Sequence, residues 1–190
     1  MTGMHALWIP IVLSAVVLFV VSSIVHMGID LVIPWHKNDY AKVPQEDAVM
    51  SALRPFALAP GDYMLPRADS MADMRSAEFM EKLNKGPKII MTVMPNGMFG
   101  MGRNLGLWFV YLLGVNVFAA YVAGRALHPG ADSLSVFRFI AATAFLGFSA
   151  ALWQGWIWYQ RSLGTVIRST IDGFVYALIA GVIFGQFWPR

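Results

Sequence analysis

A chain of 190 residues that is 57% hydrophobic and only 13% charged has too little polar surface for a soluble domain, in which about 25% of residues are usually charged. The absence of cysteine excludes disulfides, zinc–thiolate sites and thiol catalysis. The net charge of +3 is small for a chain of this length, so the composition predicts no nucleic-acid partner.

Four long apolar runs contain no Lys, Arg, Asp or Glu, and they cover residues 7–25, 104–124, 139–160 and 173–189. Each is near the ~20 residues that a helix needs to cross a bilayer, whereas barrel strands are shorter and alternate apolar with polar residues. We therefore predict an all-α integral membrane protein, multi-pass, in a bacterial inner membrane. The predicted parts are a first transmembrane helix in 6–35, a polar unit in 36–103 and a three-helix transmembrane region in 104–190.

Ionisable residues follow the first apolar run directly. Ser22, His26 and Asp30 recur every four residues, which places them on one face of a helix, and His36 follows shortly afterwards. Ionisable groups at membrane depth are costly and are functional candidates. Three interpretations remain open: a structural contact that fixes helix packing, a metal or haem site formed by His26, Asp30 and His36, or proton handling. Two imidazoles and a carboxylate suit zinc, copper or iron, although the spacing matches no specific signature.

The polar unit resembles a small α+β arrangement. An acidic turn before an apolar stripe predicts a short helix that ends at Pro55, and a second helix is predicted between Ser76 as N-cap and Gly86. Residues 63–65 and 88–93 are predicted to be extended and could pair. A unit of this size rarely buries enough apolar surface alone, so we expect it to rest on the helix ends or on a partner.

The charges of the polar unit predict the orientation of the protein in the membrane. Residues 36–103 hold 9 of the 14 basic residues, and several of them lie close to a helix end. The positive-inside rule therefore predicts a cytoplasmic long connection with both termini outside. In this topology Arg168 and Asp172 lie at the same membrane face as His26 and Asp30, where an ion-paired cluster could form.

The last apolar run carries two further signals. Asp172 ends a Ser-Thr-Ile-Asp sequence that fits a capping box, which predicts a helix N-terminus at this point. Small residues then recur at four-residue intervals and predict a ridge that another helix can approach closely: Gly173, Ala177, Gly181 and Gly185. The sequence leaves open whether one of the chain's own helices or a second subunit packs there.

Two polar residues within the apolar runs, Asn116 and Gln154, are expected to form interhelical hydrogen bonds.

The motifs of metalloproteases, hydrolases and dinucleotide enzymes are absent from the sequence. We therefore expect a non-catalytic accessory, assembly or regulatory subunit of a larger membrane complex. Its expected partners are the lipid bilayer and either a protein partner or a second copy at the small-residue ridge, and no particular cofactor is indicated. A membrane-embedded metal or haem protein that uses His26, Asp30 and His36 is the alternative, and a small proton-coupled transporter is a weaker one.

Overall fold

The computed structural model describes residues 1–28, 32–98 and 100–190. Within these residues, four helices are long and apolar enough to cross a membrane, which confirms the predicted mostly helical fold. In chain order, the first to fourth long helices are Trp8–Gly28, Met101–Ala126, Ser133–Tyr159 and Leu163–Gln186. Residues 1–41 and 100–190 form one compact unit, here called the helical unit, and residues 42–99 form another, the polar unit.

The fourth long helix begins at Leu163, before the capping box predicted at residues 169–172 and before the apolar run that starts at residue 173. The sequence prediction stopped at the charged residues Arg168 and Asp172, whereas in the structure both are inside the helix and have partners of opposite charge. Asp172 consequently lies more than two turns after the helix start. The prediction that it caps the helix is therefore wrong.

The small-residue ridge of the fourth helix packs against the third. A Cβ atom added at Gly181 would lie 2.7 Å from the Phe137 ring and 3.1 Å from the Ala141 Cβ atom. At Gly185 it would lie 3.0 Å from the carbonyl oxygen of Ser133. The close contact predicted from the sequence therefore occurs within the chain, and a partner that used the ridge would have to displace the third helix.

The core of the helical unit draws side chains from all four long helices, including the fully buried Leu18, Leu112, Ile140 and Phe184. Asn116 is also fully buried, but its amide donates to the Leu112 carbonyl of the same helix at 2.8 Å. Gln154 is exposed. Among the described residues, neither side chain therefore forms the interhelical hydrogen bond that the sequence suggested.

The polar unit contains the predicted helices and strands. Its helices are Glu46–Leu53, Met71–Met74 and Ala77–Lys85, and its strands are Gly61–Leu65 (β1) and Ile89–Val93 (β2). The strands pair antiparallel with Tyr63 opposite Met91, and the Ser76 hydroxyl caps the last helix by accepting from the Phe79 N–H. Phe79 is the only buried residue among those described in this unit.

Candidate functional site

The centre of the candidate site is His36, which the chain after the first long helix places against the fourth. His36 Nε2 lies 2.7 Å from Asp172 Oδ2, and Nδ1 lies 2.8 Å from Asp39 Oδ2. Their side chains are only 10–13% exposed. An ionised carboxylate can only accept, so an imidazole that bonds two of them must donate from both nitrogens. With both carboxylates ionised, His36 is therefore a positively charged imidazolium.

The electrostatics agree with that charge state. Burial by itself would lower the pKa of His36, but the hydrogen bonds and charges of Asp39 and Asp172 outweigh burial and raise it. Burial would likewise raise the pKa of Asp39, but its bonds to Arg168 and His36 outweigh burial and lower it. The site thus favours the charged form of His36 and of Asp39.

Three further side chains complete this polar network. The Arg168 guanidinium donates twice to Asp39 Oδ1, and the Thr165 hydroxyl donates to the same oxygen at 3.2 Å. Trp35 Nε1 donates to Asp172 Oδ1 at 2.9 Å. The two carboxylates are balanced by Arg168 and protonated His36, which explains how charged groups are accommodated in a largely apolar unit.

His26 lies beside this network. Its ring stacks on His36 with a centroid separation of 4.5 Å and an interplanar angle of 8°. His26 Nδ1 lies 3.0 Å from the Ser22 carbonyl oxygen, which can only accept, so Nδ1 carries the hydrogen. In the neutral ring, Nε2 then keeps its lone pair.

The structure brings together most of the predicted site residues. One potential ligand atom from each of His26, His36 and Asp172 lies within 4.8 Å of the other two. Asp30 lies outside the described residues. Asp172, which the sequence assigned to a helix cap, provides the carboxylate of this cluster.

A cavity of about 260 Å³ opens beside the cluster, and its polar lining comes from His26, Ser169 and Asp172. The remaining lining is mostly aromatic. Trp108 stacks on Tyr111 at 5.3 Å between centroids, and Phe148 contacts both Tyr111 and Tyr176 edge to face at 6.0 Å. These four rings therefore form a continuous wall along one side of the cavity.

Sequence reasoning missed the roles of Trp35, Asp39 and Thr165. The hydrogen bond from Trp35 and the contacts of Asp39 with the fourth helix join residues that are more than 120 positions apart. The only local signal was the spacing of His36 and Asp39, which are three residues apart in a turn.

Comparisons with known protein families, curated proteins and solved structures find no match to this chain. The class is therefore defined by the fold and site alone: a chain with four helices of membrane-spanning length and a histidine–carboxylate cluster beside a cavity.

Proposed function

We propose that this chain is a multi-pass membrane protein that binds a divalent transition-metal ion. The ligands would be Nε2 of His26, Nε2 of His36 and a carboxylate oxygen of Asp172. The observation that carries the proposal is the convergence of these three ligand atoms within 4.8 Å. Two imidazoles and one carboxylate suit zinc or iron and leave coordination positions open for a further ligand.

The surroundings of the two histidines support this assignment. Metal-binding histidines nearly always donate the hydrogen of their other ring nitrogen to a carbonyl or a carboxylate, which fixes the ring. His26 makes such a bond to Ser22 through Nδ1, and His36 makes one to Asp39 through Nδ1. In both rings Nε2 is therefore the nitrogen that would act as the ligand, and in His36 it already lies 2.7 Å from Asp172 Oδ2.

Binding would require limited rearrangement of the site. An ion shared by two imidazoles lies in the plane of each ring, so one of the parallel rings must turn. His26 is exposed, so it is the ring with room to turn, and a large turn would exchange its Nδ1 bond to the Ser22 carbonyl for the metal. Ligand atoms of a tetrahedral zinc ion are ~3.3 Å apart, so the ion would also replace the proton between His36 and Asp172 and separate these residues slightly.

An ion fits this arrangement better than a haem. Two axial histidines of a haem lie on opposite faces of the porphyrin. The rings of His26 and His36 stack directly on each other at 4.5 Å, which leaves no space for a macrocycle between them. We therefore propose an ion and not a haem held between the two histidines.

The proposed location is a bacterial inner membrane. Four helices of sufficient length and hydropathy support a multi-pass arrangement. The concentration of basic residues between the first two long helices supports a cytoplasmic side for that connection. The metal site would then lie near the cytoplasmic face, because His36 lies only eight residues after the first helix ends at Gly28.

The metal proposal is tested by zinc binding to protein purified without a histidine tag. Protein stripped with a chelator is titrated with Zn²⁺ by calorimetry, and its bound metal is then measured by elemental analysis. We expect one Zn²⁺ per chain. His26→Gln should weaken binding at least tenfold, because it removes one ligand while the network around His36 stays intact.

The matched control is His128→Gln, which changes an exposed histidine in the connection between the second and third long helices. This variant should bind zinc as the wild type does. Equal zinc uptake by wild type and His26→Gln, with both proteins folded by circular dichroism, would refute the metal site.

An accessory role remains a second candidate. It is favoured by the polar unit, where Phe79 is the only buried residue among those described, while apolar side chains such as Phe56 and Met71 are 71% and 63% exposed. Co-purification from native membranes tests this role. We expect a stoichiometric partner that is retained by Lys85→Ser and lost in Phe56→Ser, and its retention in both variants would count against this surface.

A further inference from the structure

The cavity borders the proposed metal site directly. Its described lining includes His26 and Asp172, two of the three proposed ligands, but not His36. An ion held by these three side chains therefore has His36 on one side and the cavity on another. Zinc sites with three protein ligands keep the fourth position for water or an exogenous ligand. We therefore expect the open coordination position to face the cavity.

Two of the helices that border the cavity depart from regular α-helical geometry there. His26 lies in the π-helical segment Ile24–Gly28 of the first long helix. Phe148 lies in the π-helical segment Leu146–Ala150 of the third. Such segments are rare and occur frequently at functional sites. Each one supplies a residue to the lining of the cavity, which supports a binding role for this space.

The charges around the ion favour an anion in the open position. Histidine ligands are neutral when they bind a metal, so the ion replaces the positive charge of protonated His36. The remaining members of the network are the carboxylates of Asp39 and Asp172 and the guanidinium of Arg168. A divalent ion therefore leaves the network with one positive charge in excess. An uncompensated charge in a largely apolar unit is costly, and a monoanionic ligand would balance it.

The rest of the lining favours an apolar ring on that anion. Trp108, Tyr111 and Phe148 provide faces and edges beside the proposed ligands, and aromatic pairs prefer offset or edge-to-face contact. A volume of about 260 Å³ is small and suits a single ring better than a long chain.

We propose that the cavity binds an aromatic monoanion of the arylcarboxylate type, whose anionic oxygen coordinates the metal ion and whose ring packs on the aromatic wall. This inference rests on the proposed metal site and names the class of ligand that the site takes. The charge excess selects the anionic group, and the aromatic lining selects the ring. Neither feature alone would select both.

The probes are benzoate, acetate and benzyl alcohol. Benzoate and acetate share a carboxylate of similar basicity and differ in the ring, whereas benzyl alcohol keeps the ring and carries no charge. Protein without a histidine tag is placed in nanodiscs and loaded with Co²⁺, whose visible spectrum changes when its ligands change. Elemental analysis gives the Co²⁺ bound per chain, and empty nanodiscs are the blank.

Each probe is titrated into the Co²⁺-loaded protein at neutral pH. Benzoate should half-saturate the spectral change at a roughly fivefold lower concentration than acetate does, which is the scale of one aromatic contact. Benzyl alcohol should leave the spectrum unchanged, because it offers no anionic oxygen to the ion.

A matched pair of variants locates the ring. Leu152 lines the cavity, so the larger side chain of Leu152→Trp would occupy space that the ring needs. This variant should lose the preference for benzoate and keep both Co²⁺ uptake and acetate binding. Leu134→Trp is the control, because Leu134 belongs to the same long helix, is 54% exposed and does not line the cavity. It should keep the preference.

The outcomes separate this inference from the metal site on which it rests. Wild-type protein that takes up no Co²⁺ would overturn both. Co²⁺ uptake with no spectral response to either anion would overturn the inference alone, because water or hydroxide would then keep the open position. Equal affinities for benzoate and acetate would also overturn it, as would an unchanged preference for benzoate in folded Leu152→Trp.

Discussion

Asp39 depends on the cation next to it, because its side chain is only 13% exposed and it accepts from both Arg168 and His36. A buried carboxylate is tolerated when it is paired and becomes costly when one partner is removed. The network therefore stabilises the protein mainly when every charged member keeps its partner. The loss of one member should lower the free energy of unfolding by more than an average surface ion pair contributes to it.

We expect Arg168→Ala to destabilise the protein by roughly 1–3 kcal/mol, the cost of leaving a buried acceptor unsatisfied. Arg161→Ala is the control, because the Arg161 side chain is exposed and, among the described residues, pairs only with the hydroxyl and ring of Tyr40. Its cost should stay within about 1 kcal/mol. Thermal unfolding of both variants in detergent provides the measurement, and equal midpoints would show that the ion pair contributes little.

The candidate site also shows which of its residues can be predicted from the sequence. Local spacing was enough to single out His26 and His36, because two histidines at the end of an apolar run require an explanation. Asp172 was assigned to a cap because its neighbours fit a capping box, a pattern that is defined over only four residues. Its actual partners, Trp35 and His36, are supplied by tertiary packing, which local spacing does not encode.

Among the elements, the fourth long helix shows both the strength and the limit of hydropathy. The apolar run located the helix, because a segment of this length and composition is stable as a helix in lipid. Hydropathy did not include the first turns of this helix, because a charged residue lowers the mean hydropathy whether or not it is paired. Arg168 and Asp172 are paired, so the helix begins at Leu163 and includes both.

The same helix allows a direct test of the ridge. Gly181→Leu should destabilise the protein by roughly 1–3 kcal/mol, because its side chain would have to displace Phe137 and Ala141. Val182→Leu, at a neighbouring position that is 54% exposed, should change stability by no more than about 0.5 kcal/mol. Thermal unfolding in detergent distinguishes the two, and similar midpoints would argue against close packing at Gly181.

At the scale of the whole molecule, the chain divides into units that differ in how they are stabilised. The helical unit has a core drawn from four long helices and an internally balanced polar network. The polar unit has defined caps and a paired two-stranded sheet, but its described residues include a single buried side chain. Local rules predicted its helices and strands because caps and turns are local, whereas what covers its apolar side chains is not encoded locally.

The proposed topology is tested by cysteine accessibility, which the lack of native cysteines makes free of background. Single cysteines are placed at four exposed positions, with Ser70 and Ser162 expected inside and His5 and Pro129 expected outside. An impermeant thiol reagent applied to intact cells should label only the second pair, and permeabilised cells should label all four. The physical reason is that basic residues are concentrated between the first two long helices. Such residues are retained on the cytoplasmic side. Labelling of the Ser70 position in intact cells would reverse the orientation and place His36 and its cluster at the outer face.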